Sequence, residues 1–482
     1  MIQNNELYMK HFILSVLLLA VFAVNMEGQN PTICRLGFTY DISQSSHWGK
    51  GKPVVTKVFP YSSAEMAGVK VYDIIDAIED IPVSELAVND IPTLLNPAGK
   101  NSVVLTMTNL TDSAKRVSIN KDCKRSDAIT EDQLASAFSM YSVESTSERV
   151  FTCPFKTTVI SDPVNFLRYK TFAFGPIDEN NRKLEEAINA AIEKEFRKKG
   201  LTYNALNPDM IVETFYFYNK NPNFKGVSLV RVDNNQSAYR YDFMLNRIEK
   251  FPFLDNTVAE SEAEYLLQLG VRLKDNRNGT GRILWECEAN ELMNGPFRLE
   301  NYAQSHIPLM CMQYPYSKYT RNVQFLVSQK SYNYTGISYD VNHLEQVMDV
   351  DLNSPAHIAG LRVRDVIERI DTQPMNHTTE EYTAAYKQFI TNTMSLRDPN
   401  TVFTDANGFK FCMFWDKFKY TQVADAIQSP RNMAIFGYLY KFAPYVSPSG
   451  NNACTFYIKR GKEKKEVVIR PTIHSEMTIE IK

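Results

Sequence analysis

The sequence predicts an α+β fold in which two similar, partly open β-barrel domains flank a mixed α/β middle domain. Two observations support this prediction. A short pattern of glycine, small and apolar residues occurs twice, beginning at Gly37 and again at Gly336. Between the two copies, some stretches alternate apolar and polar residues like strands, and another places apolar residues at helical spacing. Equal spacing within the repeated pattern indicates two copies of one domain.

Each copy of the pattern begins with a glycine and a short alternating stretch, Gly37–Asp41 in the first copy and Gly336–Asp340 in the second. A Ser-x-Ala-x-x-Ala-Gly segment follows at 62–68 and at 354–360. In both copies its final glycine lies five residues before an Asp and fourteen before a Pro. The segment predicts a helix of one or two turns, because the serine can cap its start and the glycine can end it in the left-handed conformation.

Each copy should end with a second helix and a closing hairpin. The predicted segments are helix 89–95 with strands 103–107 and 116–119 in the first copy, and helix 380–391 with strands 455–458 and 466–469 in the second. Because the second hairpin comes so late, residues 397–450 are predicted to be an insertion. Its many aromatic residues favour a packed lid or subdomain over a disordered loop.

The glycine turn, the strand after it and the two helices together resemble a PDZ domain. The resemblance covers residues 34–122 and, less closely, 326–475, so domains are expected at 29–124 and 326–482. In that family the glycine turn holds the terminal carboxylate of a peptide, and the following strand pairs with the peptide backbone. The usual turn, Gly-Leu-Gly-Phe, is replaced here by Arg-Leu-Gly-Phe in the first copy and Tyr-Thr-Gly-Ile in the second. The second copy therefore has the weaker claim to carboxylate binding.

The resemblance implies that one short segment of each copy binds peptide. These residues are Arg35, Leu36, Gly37, Phe38, Thr39 and Tyr40 in the first copy, and Thr335, Gly336, Ile337 and Ser338 in the second. In the first copy, the N–H groups of residues 36–38 would meet the carboxylate, residues 38–40 would pair with the peptide, and Arg35 would add positive charge. The alternative is that both segments are ordinary β-turns whose grooves are blocked or unused.

Residues 1–28 are predicted to be a secretory signal peptide. Lys10 and His11 precede an uncharged apolar run from Phe12 to Val24, which is too short to span a membrane comfortably. Cleavage before Gln29 would leave no integral membrane span and give a secreted protein, periplasmic or associated with the cell surface. An uncleaved membrane anchor is the alternative.

An exported chain can form disulfides, and this one has seven cysteines without a Cys-x-x-Cys spacing. The spacing argues against zinc, and the odd count leaves at least one thiol unpaired. The PDZ resemblance implies a bond between Cys34 and Cys123, because the first and last strands of such a barrel lie side by side.

The middle of the chain is expected to contain a helical connector at 125–150 and a mixed α/β domain at 151–325. Residues 130–133 form a capping-box pattern that begins the connector helix. The middle domain should contain strands at 169–174, 210–218, 264–274 and 282–288, with an amphipathic helix at 184–196. Its order of elements resembles a family of small bacterial envelope domains of unknown function, often found in lipoproteins.

The sequence contains no recognisable catalytic motif. Gly-x-Ser-x-Gly, Asp-Thr-Gly and His-Glu-x-x-His are all missing, as are the glycine patterns of nucleotide-binding loops. The run Met310-Cys311-Met312 could offer soft ligands to copper, but its flanks favour a packed apolar segment. The net charge of −2 gives no reason to expect nucleic acid as a partner. We therefore expect no enzymatic activity, no cofactor and no metal.

These observations predict an exported, non-catalytic adaptor of the bacterial cell envelope. Its partners would be proteins or peptides that offer a free C-terminus or an extended segment to the PDZ-like grooves. Two alternatives stay open. The protein could be an accessory or regulatory subunit of an envelope protease, or a purely architectural protein whose grooves are filled by its own chain. Whether the strand after Gly37 is free or covered separates these hypotheses.

Overall fold

A computed structural model describes residues 32–137, 149–226, 238–245, 247–255, 257–399, 402–404, 408–412, 415–427, 429–430 and 453–482. The predicted signal peptide lies outside these residues. The chain divides into two compact units. Unit 1 contains Met1–Ile33, Cys123–Arg149 and Ser328–Thr478; unit 2 contains Cys34–Asp122, Val150–Val327 and Ile479–Lys482. The described residues mix helices and strands and form no closed barrel, which is consistent with the expected α+β class.

The first β-rich domain belongs to unit 2, except for residues 32–33 and 123–125, which belong to unit 1. Its elements are β1 (Thr32–Arg35), β2 (Phe38–Ile42), β3 (Pro53–Val58), α1 (Ser63–Met66), β4 (Ile74–Ile78), β5 (Ile81–Pro82), α2 (Ile91–Leu95), β6 (Ser102–Thr108), β7 (Lys115–Asn120) and β8 (Asp122–Arg125). The main sheet has the order β2-β3-β4-β6-β7, with β5 on β4, and β1 pairs with β8. Strand β2, which follows Gly37, is therefore at an edge.

The next part of the chain contributes to both units. Its elements are β9 (Ala128–Thr130), α3 (Glu131–Ala137), β10 (Arg149–Val159), β11 (Thr171–Phe174), α4 (Arg182–Lys198), β12 (Thr202–Tyr203), β13 (Met210–Lys220), β14 (Tyr239–Asp242), β15 (Arg247–Lys250), β16 (Tyr265–Asp275), β17 (Ile283–Met293), α5 (Leu299–Cys311) and β18 (Arg321–Tyr334). Strand β11 pairs in parallel with β12 and β13, as the predicted strand–helix–strand order requires.

The second β-rich domain belongs to unit 1. Its elements are β19 (Ile337–Asp340), β20 (Val347–Val350), α6 (Pro355–Ile358), β21 (Val366–Ile370), β22 (Gln373–Pro374), α7 (Thr379–Asn392), β23 (Val402–Thr404), β24 (Lys410–Cys412), α8 (Tyr420–Ile427), β25 (Cys454–Arg460), β26 (Glu463–Ile469) and β27 (Thr472–Ile481). They form the sheets β20-β19-β9, β22-β21-β25-β26 and β23-β24, and the strands of the middle domain have the order β12-β11-β13-β16-β17-β10-β18.

Residues 125–137, the described part of the predicted helical connector 125–150, contain a strand as well as a helix. The capping box is present, since Thr130 and Gln133 exchange hydrogen bonds and α3 begins at Glu131. However, β9 pairs with β19 of the second domain. Leu134 is 1% exposed and belongs to that domain's apolar core. Tertiary pairing thus makes this segment part of the second domain, which the local pattern could not reveal.

The predicted amphipathic helix is α4, whose buried Ile188, Ile192 and Phe196 recur every four residues on one face. Helix α5 was not predicted, because Pro308 lies inside it and proline normally interrupts helices. The candidate copper ligands Met310 and Cys311 are 0% exposed in this helix. Their burial supports the interpretation as a packed apolar segment.

The described part of the 397–450 insertion packs on the second domain. Trp415 is 2% exposed and lies edge-on to Phe389 of α7, with ring centroids 5.8 Å apart. The Arg397 guanidinium lies 3.8 Å from the centre of the Trp415 ring. Six other aromatic residues of the insertion lie outside the described residues: Phe414, Phe436, Tyr438, Tyr440, Phe442 and Tyr445.

Within unit 2, the first β-rich domain is attached to the middle domain by polar and aromatic contacts. His47 Nδ1 lies 3.0 Å from the Val164 carbonyl oxygen, and its ring stacks on Phe166 with centroids 5.3 Å apart. The Tyr72 hydroxyl donates to the Met312 carbonyl. Through these contacts the first domain packs against the middle domain.

The core of the middle domain contains a buried ion pair. Arg240 Nη2 donates to Glu291 Oε1 at 2.9 Å, and both side chains are almost inaccessible, at 1% and 0%. The Tyr302 hydroxyl donates to the same oxygen at 3.1 Å. A buried guanidinium is energetically costly without a compensating charge. We therefore expect removal of either partner to destabilise the folded protein.

We predict that Glu291→Gln lowers the free energy of unfolding by about 3–5 kcal/mol, because it removes the carboxylate that is ion-paired with the buried Arg240 guanidinium. The matched control is Glu213→Gln, which breaks the exposed Lys274–Glu213 pair of 2.7 Å and should cost less than about 1 kcal/mol. Urea denaturation of the three proteins measures both. Equal losses for the two variants would contradict the prediction.

Candidate peptide-binding grooves

The turn before β2 is built from a glycine pressed against a serine. Gly37 has φ +90°, and a Cβ placed on it would lie 2.3 Å from Ser62 Cβ. The Ser62 hydroxyl donates to the Gly37 carbonyl at 3.1 Å and also accepts from the Glu65 N–H at 3.2 Å, which caps α1. The turn therefore requires glycine for both its conformation and its space.

The turn before β19 repeats this geometry in the second domain. Gly336 has φ +86°, and its Cβ would lie 2.2 Å from Ser354 Cβ. Ser354 caps α6 by accepting from the His357 N–H at 3.2 Å. The unusual positive φ of Tyr72 (71°) also recurs at the matching Arg364 (72°). Such agreement at corresponding positions supports two copies of one domain.

The strand after each turn presents hydrogen-bonding groups on its outer side. The Phe59 N–H donates to the Gly37 carbonyl, and the Asp351 N–H donates to the Gly336 carbonyl. Phe38 and Ile337 therefore occupy non-hydrogen-bonded positions opposite β3 and β20. Their own N–H and C=O groups point away from those strands, towards the side where another strand can be added.

In the second domain, that side is already occupied by the chain itself. Strand β9 runs antiparallel to β19, with Ala128, Ile129 and Thr130 opposite Asp340, Tyr339 and Ser338. This pairing is strand addition, the geometry by which an extended peptide binds a sheet edge.

The Glu131 carboxylate follows β9 and occupies the glycine turn. Its Oε2 accepts from the Thr335 N–H at 2.8 Å and from the Gly336 N–H at 3.0 Å. Its Oε1 accepts from the Thr335 hydroxyl. Converging N–H groups of this kind form an anion site, and here a side-chain carboxylate of the same protein fills it.

Burial makes the Glu131 carboxylate costly to ionise. The side chain is 3% exposed, and burial raises its pKa to about 8, although the hydrogen bonds from Thr335 and Gly336 lower it. The nearby negative charge of Asp351 raises it further. Asp351 is itself paired with Lys124 and accepts from the Tyr334 hydroxyl at 2.7 Å.

In the first domain, β3 is the single strand partner of β2 within the described ranges. Arg35 and Thr39 are exposed, and residues 36–38 are half-buried, whereas Thr335, Gly336, Ile337 and Ser338 are all buried beneath β9 and α3. The half-buried apolar side chains of Leu36, Phe38, Tyr40 and Leu94 line the rim of the first domain's core. We call this surface, with the turn 35–37, groove 1.

The structure thus gathers the predicted binding residues into one turn and strand per domain but leaves only the first set accessible. Sequence analysis missed Glu131 as a binding residue, because the capping box explained it fully. A usable signal was present in the short run Ala128-Ile129-Thr130, which is followed directly by the acidic Glu131, but its partner strand lies about two hundred residues away.

Cys34 and Cys123, the two cysteines that the sequence analysis pairs, are both disulfide-bonded. The other five cysteines, at 153, 287, 311, 412 and 454, are buried. Burial raises the pKa of the Cys153 thiol to about 12 and also raises the pKa of Cys287. Both shifts favour the protonated thiol at neutral pH.

Comparison with protein families and solved structures supports parts of this picture. Residues 157–316 match a domain of unknown function, DUF4136. A protein from Parabacteroides distasonis, described as a PDZ domain protein, is 61% identical, with a TM-score of 0.81, and the match covers 94% of this chain and 100% of that one. No curated protein matches the chain.

Two other solved structures are less similar. A PelC dodecamer from Paraburkholderia phytofirmans is 11% identical, with a TM-score of 0.17, over 35% of this chain and 98% of that one. A photosystem II D1 C-terminal processing protease is 13% identical, with a TM-score of 0.16, over 42% and 50%. These values are too low to support any inference. Separately, no helix among the described residues is long and apolar enough to cross a membrane.

We predict that Gly37→Ala destabilises the protein more than Gly68→Ala does. Both glycines have positive φ, +90° and +80°, so each substitution carries backbone strain of about 1 kcal/mol or more. Only the Gly37 variant also forces a Cβ against Ser62, whereas Gly68 faces open space. Chemical denaturation should show the larger loss for Gly37→Ala. Equal losses would mean that the contact with Ser62 is unimportant.

We also predict a pH-dependent stability that Glu131 controls. Its folded-state pKa of about 8 lies above the ordinary 4.5. The stabilisation is therefore complete below pH 4.5 and is lost as pH rises through 8, with a slope of at most about 1.4 kcal/mol per pH unit. The unfolding free energy of the wild type, relative to Glu131→Gln, should fall between pH 5 and 8.

Other ionisable groups near the same site are present in both proteins, so the difference between the two unfolding free energies isolates Glu131. These groups include Asp351, Asp132, Lys124 and His474, whose ring stacks on Tyr334 and whose pKa is lowered by burial. A difference that stays constant from pH 5 to pH 8 would show that Glu131 does not titrate in this range.

Proposed function

Because the chain belongs to the same family as the Parabacteroides distasonis PDZ domain protein, we propose that it is a non-catalytic interaction protein. Groove 1 binds an extended peptide segment that ends in a carboxylate. The ligand adds a strand to β2, and its carboxylate is held by the N–H groups of residues 36–38. This proposal adopts the peptide-binding role that the sequence resemblance implies for the first domain.

The observation that carries this proposal is the state of the second domain. There the same turn and strand hold a strand and a carboxylate at once, through β9 and Glu131. Groove 1 has the same turn conformation and the same outward-facing positions. A site of matching geometry, with its edge exposed, suits a ligand of matching chemistry.

Differences in charge also favour an anionic ligand for groove 1. Arg35 takes the place of Tyr334, and Phe59 takes the place of Asp351, so a cation replaces a neutral residue and a carboxylate is removed. A ligand carboxylate there meets positive charge instead of the negative charge that surrounds Glu131. Hydrogen bonds to charged groups contribute about 1.5–3 kcal/mol each.

Groove 1 should bind its ligand weakly. An apolar side chain of the ligand next to its carboxylate should increase the affinity. Leu36, Phe38 and Leu94 offer half-buried apolar surface beside the turn. Each apolar side chain that they fully cover contributes about 1.5–3 kcal/mol. Ordering a flexible peptide offsets much of that gain, so affinities in the micromolar range are typical.

We further propose that the mature protein is exported and acts in the bacterial cell envelope. The apolar run near the N-terminus and the two disulfide-bonded cysteines support an oxidising location. Of the two alternatives, an architectural role is favoured by one observation, the filled groove of the second domain. No observation favours a protease accessory subunit.

The test begins with random decapeptides that carry free C-termini, screened for binding to the intact protein. Peptides that bind are resynthesised with an amidated terminus. We expect amidation to remove most binding. Arg35→Glu should weaken binding of the peptide with a free C-terminus about five- to tenfold, because an attraction between the ligand carboxylate and Arg35 becomes a repulsion. Fluorescence anisotropy measures both effects.

The matched control is Lys50→Glu, which makes the same charge change at another exposed position of the first domain. It should leave peptide affinity within twofold of the wild type. A screen without binders, or equal weakening by Arg35→Glu and Lys50→Glu, would rule out groove 1 as a carboxylate site.

A further inference from the structure

The second domain holds its internal ligand through a small set of contacts. Strand β9 has only three residues, and it lies at the edge of the sheet β20-β19-β9. The other sheets of the domain, β22-β21-β25-β26 and β23-β24, receive no strand from this segment. Removing β9 would therefore leave the remaining strand pairs of the domain intact.

Residues 127–134 contact the second domain as a peptide ligand would. The Val341 N–H donates to the Asp127 carbonyl at 2.9 Å, which extends the strand pairing beyond β9. Glu131 fills the turn, and Leu134 adds an apolar side chain to the same buried cluster as Ile337 and Phe389. Backbone pairing, carboxylate and apolar side chain are all supplied by one continuous segment.

The turn of the second domain is chemically adapted to this internal carboxylate. Thr335 takes the place of Leu36 in groove 1, and its hydroxyl gives Glu131 a third donor in addition to two N–H groups. An internal residue has no terminal carboxylate, so a Glu side chain is a natural way to fill the anion site.

We propose that residues 127–134 are an exchangeable resident ligand, and that the second domain is a second peptide-binding site which opens when this segment leaves. The incoming ligand is an extended segment with an acidic side chain or terminus at the turn. This inference rests on the physical likeness of the two grooves, not on groove 1 having a ligand.

The resident segment is covalently tethered, which explains why it holds the site although its contacts are few. A short tether gives an effective concentration in the millimolar range, so a free peptide competes poorly at ordinary concentrations. The cost of burying Glu131, seen in its raised pKa, weakens the binding of the resident segment in the groove. The segment should therefore leave the groove when the Glu131 contacts are lost.

The experiment uses a blocked peptide with the sequence of residues 126–137, acetylated and amidated, together with the same peptide carrying Glu131→Gln. The proteins are the intact wild type, Glu131→Gln and Glu380→Gln; Glu380 is an exposed residue on α7. All three also carry Arg35→Glu, so that binding in groove 1 is suppressed and failure of that proposal does not affect the result.

We expect the Glu131→Gln protein to bind the wild-type peptide at least tenfold more tightly than the other two proteins do. The peptide with Gln at the corresponding position should bind at least tenfold more weakly. Isothermal titration calorimetry should give one site per chain in Glu131→Gln. Failure of this protein to bind the wild-type peptide would overturn the proposal.

Hydrogen exchange separates an exchangeable ligand from a structural part of the core. Glu131→Gln should accelerate amide exchange at least tenfold in 128–131 and 335–340, and leave β21 and β25 unchanged. Adding the wild-type peptide should restore protection at 335–340 but not at 128–131. Faster exchange throughout the second domain, or no restoration, would show that the segment is an integral part of the fold.

Discussion

A glycine held at positive φ against a serine side chain is the constraint on which both grooves depend. At Gly37 and Gly336 the missing side chain lets the turn approach Ser62 and Ser354, the residues that cap the following helices. The turn, the helix start and the edge strand are thereby fixed together. The backbone alone creates the anion site, so the residues around it can change while its geometry stays the same.

Those surrounding residues decide what each turn holds. In the second domain Thr335 adds a hydroxyl donor for Glu131, while Asp351 adds a negative charge that makes a carboxylate there harder to ionise. In the first domain Leu36 takes the place of Thr335 and Phe59 that of Asp351, while Arg35 replaces the neutral Tyr334. The same fold therefore gives two different turns. The second domain has a polar turn that binds Glu131 of the same chain, and the first has a turn beside Arg35 with an exposed edge strand.

The sequence predicts local structure well where spacing determines it. Capping residues predict the short capped helices, and turn residues predict the hairpin β25–β26. Apolar periodicity predicts which face of α4 is buried. The sequence does not predict which strands pair when the two strands are far apart along the chain. Nothing near Ala128–Thr130 specifies pairing with β19, and helix α5 forms despite Pro308 because it is buried on most of its surface. Long-range burial, which no local window contains, decides both cases.

The same reasoning explains why the two grooves cannot be treated as equal binding sites. Two open grooves on one chain would raise avidity for a partner that carries two suitable segments. With residues 127–134 in place, the groove of the second domain is closed. Of the two strands that follow the glycine turns, β2 is the one whose outer edge has no strand partner within the described residues. Under the proposed function, the number of peptides that the protein binds depends on whether the second turn is occupied, and so on the contacts of the Glu131 carboxylate.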